Sequence, residues 1–98
     1  MSKTLVETTK PKLKKPKRFQ VFLLNDDYTT MDFVIQVLQQ FFAKTEQVAH
    51  AIMFKIHIDG EAVCGVYSYD VAQTKVSQVI DFSRRNEQPL MCVIREMK

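Results

Sequence analysis

Residues 1–18 show no hydrophobic period; lysines dominate them, with prolines at Pro11 and Pro16, the pattern of a disordered arm. At Phe19 the pattern changes. FQVFLL, Phe19 to Leu24, is a short apolar run rich in aromatic and β-branched residues and predicts a strand. Asn25-Asp26-Asp27 ends it with three residues that disfavour strands and favour turns. Met31, Val34, Ile35, Leu38, Phe41 and Phe42 then recur at three- and four-residue spacing, predicting an amphipathic helix that ends near Ala43. Thr29 is its expected N-cap, with Asp32 as an acidic variant of the capping box. Thr45 is placed to cap a second helix, whose apolar stripe is Val48, Ala49, Ile52, Met53 and Ile56 and which stops at Asp59-Gly60.

EAVCGVY, Glu61 to Tyr67, predicts the second strand. Ser68 or Asp70 starts a third helix with Val71, Ala72, Val76, Val79, Ile80 and Phe82 on its apolar face and Arg84 and Arg85 at its C-terminal end. Asn86 to Pro89 reads as a turn and LMCVI, Leu90 to Ile94, as the last strand. The order β-α-α-β-α-β predicts an α/β (α+β) two-layer sandwich: a three-stranded antiparallel sheet packed against three helices, with the last strand beside the first. Residues 1–18 are a basic extension and residues 19–98 the single folded domain.

Charge sharpens this division. The net +3 of the 98 residues is the sum of an arm at +6, with seven bases against Glu7, and a remainder at −3. The sequence pI of 9.0 therefore belongs to the arm, and the mildly acidic domain does not read as a nucleic-acid-binding fold. No run approaches the roughly 20 apolar residues of a membrane span, and no apolar signal core precedes the domain, so a cytoplasmic location is expected; a monomer is expected as well. Cys64 and Cys92 lie inside apolar strands and read as buried free thiols.

Little in the chain suggests catalysis. Gly60 and Gly65 are the only glycines, so there is no phosphate-cradling loop, and no Ser sits in a G-x-S-x-G elbow. His50 and His57 are not spaced as a zinc pair, and no cofactor or metal is expected. The acidic run Asn25-Asp26-Asp27 is more informative. Adjacent carboxylates repel, so a cation nearby would be favourable; pattern alone leaves the run equally a solvated turn or a cation site. Asn25, an aspartate and a neutral His57 together offer three acceptors, which suit an ammonium with its three donors. Met31 and Met53 read as ordinary core or as adaptable walls of a pocket.

The run Val21-Phe22-Leu23-Leu24-Asn25-Asp26-Asp27-Tyr28-Thr29-Thr30-Met31-Asp32-Phe33-Val34 closely resembles the ClpS family of protease adaptors. The resemblance continues through Met53-Phe54-Lys55-Ile56-His57, Ala62 to Tyr67, Val71 to Val76 and Gln88 to Cys92, covering roughly residues 19 to 95. It implies a non-enzymatic receptor for N-degron substrates that begin with Leu, Phe, Tyr or Trp, delivered to the N-domain of a ClpA-type AAA+ unfoldase. On this resemblance Asn25, Asp26, Asp27 and His57 would hold the substrate's α-ammonium, with Asp27 preferred over Asp26 for the direct contact. Thr29, Met31, Val34, Met53, Ile56 and Leu90 would line the side-chain pocket, and Asp70, Thr74 and Lys75 would dock on the unfoldase.

The chain departs from the family pattern at Thr30, where Pro is usual, at Ile56, where Val is common, and in its short, lysine-rich arm. Two other readings compete. The same element order is similar to the C-terminal domain of the bacterial ribosomal stalk protein, a protein-interaction domain that would not need the Asn-Asp-Asp rim. An anionic-surface or nucleic-acid binder acting through residues 1–18 would show steep salt dependence.

Overall fold

The computed structural model describes residues 15–98. The part of the predicted arm before residue 15 lies outside the described residues. Residues 15–18 run exposed into β1 (Phe19–Leu24) and lie against the last strand: Arg18 O accepts from Met97 N at 2.8 Å and Lys17 pairs with Glu96 at 3.8 Å. The elements that follow are α1 (Met31–Phe42), α2 (Glu46–Asp59), β2 (Glu61–Tyr67), α3 (Tyr69–Arg85) and β3 (Met91–Glu96). The sheet has the order β2-β1-β3, and β1 is antiparallel to both neighbours. This is the predicted α+β sandwich, with the last strand beside the first.

The most apolar strand takes the centre. Val21 and Leu23 are fully buried on the helix side of β1, and Ala62, Cys64 and Cys92 bury beside them from β2 and β3. Val37 and Leu38 from α1, Ala49 from α2, and Ala72 and Val79 from α3 close the core. Phe82 joins α3 to α1: its ring stacks on Phe33 at 5.4 Å and meets Phe41 edge-on at 5.2 Å. Ser83 is buried without cost because its hydroxyl donates to Val79 O at 2.7 Å. On the opposite face of the sheet, Arg95 lies over the Phe22 ring at 4.4 Å and grips Glu61 with both guanidinium nitrogens, linking all three strands. Among the described residues no helix is long and apolar enough to cross a membrane.

Several local expectations shift. Thr30, not Thr29, caps α1, its Oγ1 accepting from Phe33 N at 3.1 Å, because Thr29 is engaged by Asp26. Thr45 caps α2 as expected, and Gly60, at φ 89°, ends it in the left-handed conformation glycine adopts without strain. α3 begins at Tyr69, with Ser68 as its N-cap making no side-chain bond. β3 runs from Met91, because Leu90 turns into the core before pairing starts. Val48 and Val71, placed on apolar stripes by spacing, are exposed in the first turns of α2 and α3. The β1–β2 register slips between Val21, opposite Gly65, and Phe22, opposite Val63, so that Cys64 forms a bulge.

Candidate functional site

Backbone hydrogen bonding brings the end of β1 to the end of α2. Asn25 N donates to Gly60 O at 2.9 Å, while Gly60 N closes the last turn of α2 on Ile56 O at 2.8 Å. The loop that begins at Asn25 is thereby set beside His57, which lies in that last turn. The loop then folds around one carboxylate. Asp26 Oδ1 accepts from Tyr28 N at 2.8 Å and Thr29 N at 2.6 Å, and Oδ2 accepts from Thr29 Oγ1 at 2.6 Å. Burial alone would raise the Asp26 carboxyl; the bonds from Thr29 and Tyr28 and the Arg84 charge outweigh it and hold it below its ordinary value. Among the described residues nothing hydrogen-bonds the side chains of Asn25, Asp27 or His57, and all three are exposed.

These elements enclose a cavity of about 260 Å³. Asn25, Asp26, Asp27, His57 and Thr29 contribute its polar lining; Met31, Val34, Met53 and Ile56 contribute its apolar lining. Val34, Met53 and Ile56 are buried, whereas Met31, the first residue of α1, is 51% exposed and stands at the surface. The four apolar residues come from one face of α1 and one of α2, three residues apart in each helix, a spacing that puts both pairs on the same side. Nine of the ten residues assigned from the sequence to the amino-group site and side-chain pocket thus share one concavity. Leu90, the tenth, is 1% exposed and packs in the core rather than lining it.

Of the remaining residues assigned a role, Asp70 and Thr74 line an open groove on α3 with Gln73, Ser77 and Gln78. Lys75 does not line that groove; its Nζ lies over the Tyr67 ring, 5.9 Å from the centroid. Sequence reasoning missed the bracing role of Asp26 and its supporters. Arg84 Nη1 donates to Gln88 O at 2.8 Å and Leu90 O at 3.0 Å, and Gln88 Oε1 accepts from Thr30 N at 3.2 Å, tying the α3–β3 turn to the loop. The signal for the brace was present: an Asp two and three residues ahead of the N–H groups it accepts from is the spacing of a side-chain-closed turn.

Cysteine chemistry has no place at this site. Burial pushes the Cys64 and Cys92 thiols up to about 12, so both are protonated near neutral pH. Among the described residues there is no group of three or more His, Cys, Asp or Glu that could hold a metal ion.

Known proteins match this chain in sequence and in fold. A family model described as "ATP-dependent Clp protease adaptor protein ClpS" matches residues 14–93. The ClpS adapter protein of Nitrosospira multiformis is 54% identical over 92 residues, covering 94% of this chain and 90% of that one. ClpS 1 of Rhizobium meliloti is 50% identical over 93 residues, covering 95% and 80%. Among solved structures, Agrobacterium tumefaciens ClpS2 bound to L-phenylalaninamide superposes with a TM-score of 0.82 at 36% identity, covering 85% of this chain and 100% of that one.

Proposed function

The chain belongs to the ClpS family of ATP-dependent Clp protease adaptor proteins, and we infer that it recognises the free α-amino group and large apolar first side chain of N-degron substrates and delivers them to a ClpA-type unfoldase. The observation that carries this reading is the cavity itself, about 260 Å³ in all, in which an uncommitted acid, an amide and an imidazole adjoin an apolar lining. That volume suits one large side chain. The likeness to a ClpS2 bound to L-phenylalaninamide, an amino acid amide with a free amino group and an apolar ring, supports the same division of labour.

The ammonium donates three hydrogen bonds and accepts none, and the amide oxygen of Asn25, the carboxylate of Asp27 and an imidazole nitrogen of His57 can each offer an acceptor. Asp27 is the better candidate for the direct contact, because both Asp26 oxygens already serve the loop. Asp26 acts by holding Thr29 and the loop that carries Asp27. An internal or acetylated residue carries no ammonium and would leave these acceptors desolvated and unpaired, a penalty of about 1–3 kcal/mol for each buried group. Val34, Met53 and Ile56 would bury the first side chain for about 1.5–3 kcal/mol, with Met31 narrowing the entrance against β-branched residues. Recognition thus requires a charge and a shape together. Binding to the Clp machinery is assigned to Asp70, Thr74 and Lys75 on and beside the α3 groove, away from the peptide cavity. No bond is made or broken by the adaptor.

Peptides differing only in their first residue test this reading. Phe- and Leu-initiated peptides are expected to bind and Val-initiated ones to bind much more weakly in a fluorescence-polarisation titration. Equal affinity for all three would reject the pocket as a reader of the first residue.

A further inference from the structure

Gly65 is a glycine for a steric reason. Its φ lies outside the positive region, so the backbone does not demand glycine there. Space does: a Cβ on Gly65 would come within 2.5 Å of Tyr67 Cζ and 2.6 Å of Tyr67 Cε2, and closer still to the hydroxyl. The hydroxyl end of the Tyr67 ring therefore reaches back along β2 into the space a side chain on Gly65 would fill. The Cys64 bulge sits in this same stretch of strand, where the register with β1 slips. The ring is half-buried in this position, and burial raises its hydroxyl, which keeps the phenol neutral. Lys75, one and a half turns into α3, is itself half-buried and carries its Nζ over the ring at 5.9 Å from the centroid. Gly65, Tyr67 and Lys75 are thus a stack that runs from the strand backbone to a surface cation.

We propose that Gly65 and Tyr67 are positioning residues for docking on the unfoldase: the missing Gly65 side chain leaves room for the hydroxyl end of the Tyr67 ring, and the ring holds the Lys75 ammonium beside the α3 groove. This rests on the assignment of Lys75 to that docking surface. Neither positioning residue touches the partner in this account. A lysine stem has four rotatable bonds, and an aromatic face beneath its head favours one placement by attraction to the ring's electron-rich surface. Displacing the ring leaves Lys75 in sequence but scatters its charge, which weakens a contact that depends on where the charge sits. The peptide cavity, built from β1, α1 and α2, shares none of these three residues.

The test compares the full chain with Gly65→Ala, Tyr67→Phe, Tyr67→Leu, Lys75→Ala and the double variant Gly65→Ala with Tyr67→Leu. Three readouts are taken on each: affinity for the isolated unfoldase N-domain, affinity for a Phe-initiated peptide, and the ring-current shift of the Lys75 ε-methylene protons by NMR. Tyr67→Phe should keep the shift and the docking, since the ring face remains. Gly65→Ala and Tyr67→Leu should lose the shift and dock about fivefold more weakly, as expected for loss of one exposed cation–π contact. Peptide affinity should hold in both, and the double variant should be no worse than either single one. Docking weakened by Lys75→Ala but unchanged by Gly65→Ala and Tyr67→Leu would overturn the positioning role alone. Docking unchanged by Lys75→Ala would instead overturn the assignment on which it rests. If Gly65→Ala failed to fold, Tyr67→Leu, which removes the ring without crowding the strand, decides the matter by the same readouts.

Discussion

Asp26 commits both carboxylate oxygens to Tyr28 and Thr29, whereas the Asp27 carboxylate faces the cavity with no bond from the described residues. Their substitutions should therefore separate. Asp27→Asn is expected to weaken binding of a Phe-initiated peptide about tenfold or more while leaving the melting temperature unchanged, as loss of a charge-assisted contact requires. Asp26→Asn should lower the melting temperature as well. Its carboxyl lies below its ordinary value of 3.8, so the stability it confers is present above that value and is lost as pH falls through the lower folded-state value. A stability profile measured by urea unfolding between pH 6 and pH 2 should be flatter in Asp26→Asn than in the parent; parallel profiles would show that the brace contributes nothing. Ile56 is 3% exposed and lines the cavity, and Ile56→Val removes one methylene from its wall. Peptides beginning with Trp should gain several-fold relative to Leu-initiated ones in the variant, within the range one methylene commands in an apolar pocket. An unchanged ratio would mean that Ile56 does not limit the pocket.

At the scale of elements, the site depends on how helices end. Gly60 stops α2 at φ 89° and its carbonyl receives Asn25 N, so one residue closes the helix and seats the loop. Gly60→Ala should cost about 1–2 kcal/mol, read as a lower urea midpoint with an unchanged slope, because a Cβ is strained in that conformation. The order, type and approximate bounds of these elements were legible in the sequence because the strands are short apolar runs bounded by turn residues, while the helices keep a period of three to four. The errors have local causes. Thr29, the expected cap of α1, loses its hydroxyl to Asp26 once the loop folds, and Thr30 caps the helix instead. Val48 and Val71 fit the helical spacing but fall in first turns that overhang the core. Leu90, expected at the pocket wall from the family resemblance, is buried in the core, its carbonyl accepting from Arg84. The Gln88 and Arg84 supports join residues far apart in the chain, and no short-range pattern encodes such a meeting.

For the molecule as a whole, the proposed reading assigns two functions to two regions of one small sandwich. The peptide cavity opens between the ends of β1, α1 and α2; the groove assigned to the Clp machinery lies on α3. The basic arm, the strongest charge signal in the chain, is assigned to neither. If the arm serves delivery rather than binding, removing residues 1–15 should spare peptide affinity but slow degradation of a Phe-initiated reporter by the Clp protease; full degradation would rule that role out. The central claim, that the rim reads a free amino group, is tested most directly by measuring the affinity of one Phe-initiated peptide with its amino terminus free and acetylated. The free peptide should bind about a hundredfold or more tightly, and its affinity should fall as pH rises past about 8, where an α-amino group loses its proton. Equal affinity of the free and acetylated peptides would contradict the account.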